Sequence, residues 1–539
     1  MDTKTYQTDV AVVGGGIAGI VTTLSLLDQQ KKVLIIDRDE PDKFGGLAKE
    51  SFGGIFFVDS KHQRKLGIHD NVDLAKKDWF SFAEFGENDD LPKQWAQDYI
   101  ENCTEHVYHY LLNKGIKFFP VVHWVERGLY QPGNSVPRFH MVWGTGYELA
   151  RVMIHHLKNH PNSNLLNIEF RHKVTDITSA GGKVIGVCGI IEKEEQPFEV
   201  KAEKVVLAAG GISGNIDFLK QNWYNPWGKP PEKILNGSHQ YADATIHKAA
   251  QKQNGKLTHL DRLWMYAAGV HHPSPNKTNH GLSIVPPKSA LWVDYSGKRF
   301  GPMPLVSAYD TRYLVEQVCK SGYSYSWQIM NWKIAKKELA ISGSEFNDAI
   351  RDKKILPFLL NILFGNKKLV RNLTTNCVDF VTANSIEELA DKMNALNGND
   401  KVDVDALKAS IRQYDATIDR GRKYFNDEQL RRIAHLRQYR GDRVRTCKFQ
   451  KIDDPKTYPL IAVREFVLSR KSLGGLQTNL NCQVMSETDH EPIPNLYAVG
   501  ETAGFGGGGI HGLRSLEGTF LGTCIYTAQK AANHISGKQ

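Results

Sequence analysis

DVAVVGGGIAGIVTTLSLLDQQKKVLIIDRD, from Asp9 to Asp39, decides the fold of this chain. Val10 to Val13 is a short β-branched run, Gly19 to Asp28 repeats its apolar residues at helical spacing, and Val33 to Ile36 is a second apolar run ending at Asp37. The pattern predicts the strand, helix and strand of one βαβ unit. Gly14, Gly16 and Gly19 have G-x-G-x-x-G spacing at the strand-to-helix turn. Gly14 makes the tight turn, Gly16 lets a pyrophosphate approach the main chain, and Gly19 lets the helix pack close to the strand. Gly15, Ile17 and Ala18 complete the loop and the first helical turn, whose N–H groups would face the phosphate. Asp37, with Arg38 beside it, ends the second strand where a carboxylate can accept both hydroxyls of an adenosine ribose.

Working outward, FGGLAKESFGGIFFVDS places the pairs Gly45, Gly46 and Gly53, Gly54 on either side of Ser51, a second glycine cluster on which more of a cofactor could lie. FRHKVTDITSAGGKVIGVCGI reads as an antiparallel hairpin turning at Gly181 and Gly182, with Val174 near its start. EKVVLAAGGISGN is a buried strand running into Ala209 and Gly210, with Asn215 just beyond. IPNLYAVGETAG supplies another strand, ending at Gly500 and Glu501, and a helix should run from about Leu516 to His534. The expected organisation is therefore α/β: a Rossmann-like domain split between 1–265 and 461–539, with an α+β cap inserted at 266–460. That insertion contains the strand and turn LWVDYSGKRF and the helical patterns SIEELADKMNAL and VDALKASIRQYDATI.

Length and composition fit this organisation. A chain of 539 residues with 41% hydrophobic and 24% charged residues can form two or three ordinary globular domains. The net charge of +9 is spread along the chain, which argues against nucleic-acid binding. Seven cysteines without a C-x-x-C pair fit a reducing compartment, with no disulfide frame and no metal site. No export signal or membrane span is evident, so the expected location is cytoplasmic. KKILPFLLNILFGNKK, 353–368, is apolar inside and has two lysines at each end. It is expected either to pack as a buried helix or cap loop, or to touch a membrane peripherally.

With these pieces in order, the chain resembles the fumarate reductase and succinate dehydrogenase flavoproteins, and within them the 3-ketosteroid Δ1-dehydrogenase-like branch. The matching motifs are VVGGGIAG, GGLAKESFGG, VLAAGG with Asn215, Tyr241-Ala-Asp243, the G-x-R-F strand at 291–300, S-L-G-G at 472–475 and LYAVGETAG at 496–504. The resemblance implies an extended FAD with its isoalloxazine between the domains. Glu501 would bond the ribitol, and Ser515, Leu516 and Thr519 would lie at the flavin pyrimidine edge. Covalent relatives have a His near the place that Leu47 occupies here, so the FAD is expected to be non-covalent.

The branch oxidises CH–CH bonds by passing a hydride to flavin N5, and an external acceptor reoxidises the flavin. The resemblance offers Tyr309, about nine residues after G-x-R-F, as the base, with Tyr130 assisting; Arg312, one turn from Tyr309 if that segment is helical, is spaced to stabilise the phenolate. No Tyr stands in GETAGFGGGGIHGLRSLEG (500–518) to hold a ketone, so His511 or Arg514 would do so. The alternatives are a fumarate-reductase-like enzyme, with Lys471, Arg312 and Arg514 receiving a carboxylate, and a flavoprotein electron-transfer subunit. The substrate is accordingly a hydrophobic or carboxylate small molecule.

Overall fold

The βαβ unit forms because its apolar runs are long enough to be covered on both faces. In a computed structural model describing residues 2–538, β1 (Lys4–Val13), α1 (Ile17–Leu27) and β2 (Val33–Ile36) follow the predicted order. Val10 to Val13 and Val33 to Ile36 are all buried. Burial of each such Val or Ile side chain contributes about 1.5–3 kcal/mol. β1 pairs in parallel with β2 on one side and with β3 (Gln196–Leu207) on the other. β3 in turn pairs in parallel with β4 (Pro492–Ala498). The strand Leu166–Glu169 extends the sheet beyond β2, and Gln483–Met485 lies antiparallel on β4.

The register aligns the strand ends. Val13 lies opposite both Ile36 and Leu207, and Leu207 lies opposite Ala498. Gly14, Asp37, Ala208 and Val499 therefore leave the sheet at one carboxyl edge, where doubly wound folds bind ligands. The hairpin His172–Ala180 and Lys183–Ile191 turns at Gly181 and Gly182, both with positive φ, and joins the sheet through β3.

The chain divides into two compact units. The first comprises Met1–Tyr224, Ser238–Trp264 and Arg470–Gln539, and the second Asn225–Gly237 and Met265–Ser469. The expected boundaries at 265 and 460 thus miss a short excursion into the second unit. It occurs because Leu235–Asn236 pairs with the long strand Leu460–Ser472, which ends at the return to the first unit. Around that strand the second unit arranges Tyr325–Asn331, Phe380–Ala383 and, further out, Leu291–Val293 as antiparallel neighbours. The helices Ile386–Asn397 and Val404–Asp419 match the expected patterns.

Two expectations need correction. The last helix spans Thr519–Ile535, starting after Gly518, whose φ of 99° ends the preceding turn. The helix within 353–368, Ile355–Phe364, has no buried residue. Its apolar side chains face water, so it is not the buried segment that composition suggested.

Candidate active site

At the carboxyl edge of the sheet each glycine of the first loop has its own steric reason. A Cβ on Gly14, where φ is 109°, would lie 2.4 Å from the carbonyl oxygen of Ala208. One on Gly19 would lie 2.0 Å from the Gly14 carbonyl oxygen, so strand and helix touch there. Gly16 differs. Its backbone is extended (φ −74°, ψ −179°) and a Cβ there would meet no protein atom within 4 Å. No protein atom excludes a side chain at that position, which lies beside the N–H groups that begin α1 at Ile17 and Ala18 and leaves room for a ligand there.

Asp37 is pinned facing this loop. Its Oδ2 accepts from the Gly15 N–H at 2.8 Å and its Oδ1 from the Asp39 N–H at 2.8 Å. Each oxygen retains a lone pair for a ribose hydroxyl. Burial raises its pKa above the ordinary carboxylate value. Arg38 binds Glu192 at 2.7 Å and Asp243 at 2.8 Å, with its guanidinium 4.1 Å from the Tyr241 ring centre. The structure therefore joins Arg38 and Asp243 to each other at the edge of the site.

The second glycine cluster returns to the first. The Gly45 N–H donates to the Gly15 carbonyl at 3.0 Å, and a Cβ on Gly46 would lie 3.2 Å from Gly16 Cα. Ser51 accepts from the Gly53 N–H, and Gly54 begins the short strand Gly54–Phe56. Val174 is packed in the sheet core, and Asn215 caps the helix Ile216–Gln221. Ala209 follows β3, and the Gly210 carbonyl accepts from Thr502 at 2.9 Å. Gly500, at positive φ, lies against Ala18 and Cys524. Glu501 takes two bonds from Ser472, from the N–H at 2.9 Å and the hydroxyl at 3.3 Å, both on Oε1. Its Oε2 is left to accept from a ligand hydroxyl. Burial raises its pKa. Open space at Gly16, a carboxylate at the end of β2 and a carboxylate at Glu501 fit an extended dinucleotide.

The glycine run after Glu501 packs on protein: Cβ atoms on Gly506 and Gly507 would press on Trp95, and one on Gly508 would lie 2.1 Å from the Thr258 hydroxyl. Beneath it His511 is fully buried, stacked on Trp79 with centroids 5.7 Å apart and enclosed by Phe505 and Phe520. Its Nε2 lies 2.7 Å from the Thr519 hydroxyl, which is bonded in turn to Ser515 and to the Leu516 carbonyl. Burial and the charge of Lys471 hold its pKa well below the usual value, so the ring is neutral. Arg514 is ion-paired with Glu84. Lys471 is half-buried, 3.9 Å from the Phe520 ring centre, and burial lowers its pKa to about 8 against the opposing carboxylates of Glu517 and Glu501.

Tyr309, in the second unit, is buried with 7% exposure. Its hydroxyl lies 3.0 Å from His435 Nδ1 and 3.4 Å from the Arg432 carbonyl oxygen, and the Arg432 guanidinium is 4.7 Å from its ring centre. His435 is exposed. Arg312, expected to serve Tyr309, instead lies 4.8 Å from the Trp227 ring centre, because the helix Thr311–Lys320 begins only after Asp310 and turns Arg312 elsewhere. Arg432 and His435 were missed by sequence reading. Their only signal is an i, i+3 pair of basic residues on the helix Glu428–Leu436. Tyr130 is 69% exposed.

Comparison with known proteins agrees with this geometry. Residues 9–521 match the family described as FAD binding domain. The chain is 38% identical to a KsdD-like steroid dehydrogenase from Mycobacterium tuberculosis, over 98% of this chain and 96% of that protein. Among solved structures, a flavocytochrome c3 fumarate reductase in its open conformation aligns with a TM-score of 0.70 at 17% identity, covering 99% of this chain and 78% of that one. A 3-ketosteroid-Δ4-(5α)-dehydrogenase from Rhodococcus jostii RHA1 aligns with a TM-score of 0.65 at 18% identity, covering 100% of both. The chain belongs to the FAD binding domain family, in the branch of the KsdD-like steroid dehydrogenases, and is an FAD-dependent oxidoreductase acting on CH–CH bonds.

Proposed function

We propose that the enzyme dehydrogenates a ketosteroid or a similarly hydrophobic ketone, removing a proton alpha to the carbonyl and a hydride from the neighbouring carbon. FAD, when bound, accepts that hydride and later yields two electrons to an external acceptor. The observation that carries this reading is the buried Tyr309 phenol bonded to the exposed His435. A phenol is a poor base near pH 7 unless its anion is stabilised or its proton has an acceptor. His435 is such an acceptor, and the Arg432 cation beside the ring favours the phenolate. The alpha proton passes to Tyr309 oxygen, and the imidazole relays it to water.

The other candidates take supporting parts. Thr519, held by His511, fixes the turn from Ser515 to Thr519 at the start of the last helix. That helix N-terminus favours negative charge on the cofactor. Lys471 adds positive charge beside Glu501. Relatives named as steroid dehydrogenases support a steroid as the substrate class. Reduction of an unsaturated carboxylic acid would need free cations, whereas Arg514 is paired with Glu84 and Arg312 packs on Trp227.

Anaerobic mixing of the yellow holoenzyme with 4-androstene-3,17-dione or a saturated 3-ketosteroid should bleach the flavin, and an artificial acceptor should recolour it. Failure of a panel of such ketones to bleach it, with oxidation of the reduced enzyme by fumarate, would favour the acid reductase. FAD content without turnover of either class would favour an electron-transfer subunit.

A further inference from the structure

The helix Ile355–Phe364 has an inverted surface. Ile355, Leu356, Leu359, Leu360, Leu363 and Phe364 are 61%, 67%, 46%, 45%, 72% and 66% exposed. At helical spacing these six side chains cover one half of the cylinder, while Phe358 and Ile362 lie on the other side and are partly covered. An amphipathic helix of a globular unit ordinarily turns such a stripe to its core. This helix of 10 residues is about 15 Å long, too short to cross a bilayer. Among the described residues no helix is long and apolar enough to do so.

Positive charge brackets the stripe. Lys353 and Lys354 precede it, Lys367 and Lys368 follow it, and Arg351 and Arg371 stand just outside. The Lys368 side chain is 91% exposed, and its contact with Asp348 is 3.8 Å; Lys354 lies 3.3 Å from Asp352. Such surface ion pairs are weak and exchange readily for other partners. Two copies of the helix laid together would bring lysines against lysines in either orientation. An anionic lipid surface matches both features, since the stripe can enter the boundary between headgroups and acyl chains while the lysines reach the phosphates.

We propose that Ile355–Phe364 docks the enzyme on the surface of an anionic bilayer. The inference is independent of the substrate taken at the flavin. Each basic residue near such a surface strengthens binding by about fivefold.

The test is co-sedimentation of the full-length, FAD-loaded protein with phosphatidylcholine vesicles, without and with about 30% phosphatidylserine. Binding should be at least about tenfold tighter to the anionic vesicles and should weaken in about 0.5 M salt, where the screening length falls to a few ångströms. The double variant Leu359→Glu, Leu363→Glu should lose binding at least about tenfold while keeping its flavin spectrum and melting temperature, because both side chains already lie in water. Replacing the four lysines by Gln should remove the anionic preference. Equal sedimentation of wild type and the Leu variant would overturn the proposal. So would an absence of vesicle binding, or wild-type dimers that the Leu variant converts to monomers.

Discussion

Gly16 and Gly19 belong to one motif, yet alanine at each should do opposite things. At Gly16 the backbone is already in a region that alanine adopts freely, and its Cβ would meet no protein atom within 4 Å. Gly16→Ala should therefore leave the apo fold unharmed or stabilise it by about 0.4–1 kcal/mol through the unfolded chain. The same methyl group would stand where a pyrophosphate approaches α1. Loss of one charge-assisted hydrogen bond there costs about 1.5–3 kcal/mol, or about 10- to 160-fold in FAD affinity. Gly19→Ala forces a Cβ to within 2.0 Å of the Gly14 carbonyl. The helix must shift, and overpacking of this kind costs about 1–3 kcal/mol of fold stability or more. Thermal unfolding of both apo variants, followed by titration with FAD against flavin fluorescence, separates the effects. If Gly16→Ala binds FAD as tightly as wild type, the pyrophosphate does not lie on this loop and the assignment of the first glycine cluster fails.

Three further predictions concern the Tyr309–His435 pair and two buried charges. Tyr309→Phe should slow flavin reduction by a true substrate about 10²–10⁴-fold, as for loss of a general base; His435→Ala should slow it about tenfold or more and move its acid pH limb, since a proton acceptor must be unprotonated to act, and unchanged pH profiles would remove the relay. Arg138 is fully buried between Asp70 at 2.7 Å and Asp78 at 2.6 Å, so Arg138→Met should destabilise the first unit by about 3–5 kcal/mol, measured by denaturant unfolding. Glu465 is fully buried with neither carboxyl oxygen hydrogen-bonded, and burial raises its pKa well above normal. Its contribution to stability is greatest in acid and is lost as pH rises through the raised value. Glu465→Gln should therefore melt higher than wild type at pH 8 and show little difference at pH 4.

What could be read from the sequence was local. The βαβ unit announces itself through a β-branched run, three spaced glycines and an acid within about thirty residues, and the Gly181–Gly182 hairpin through its alternating strands. The partners of reactive groups depend on contacts that no local pattern encodes. Tyr309 meets His435 across 126 residues, and Arg514 meets Glu84 from the far end of the chain. The spacing of Arg312 suggested one helical turn from Tyr309, but Asp310 caps the helix between them. The apolar run at 355–364 was legible as a helix. Its orientation was not, because the same composition serves a core or a membrane surface.

The order of strands in the first sheet also has a consequence for biosynthesis. β4 reaches its place on β3 across about 290 residues of intervening chain, most of which forms the second unit. While the ribosome is still making that unit, Val205 to Leu207 at the end of β3 have an open edge where β4 will lie, although the hairpin already covers Gln196 to Lys201 and the whole glycine loop and Asp37 have emerged. A nascent chain ending near residue 470 therefore holds a complete fingerprint loop without Glu501 or the helix that packs on α1. Closing so long a loop is slow, and an unpaired edge invites pairing with other chains. Cofactor capture therefore waits until the chain beyond the second unit has been made, and an early stop between residues 470 and 500 should yield aggregated, colourless protein.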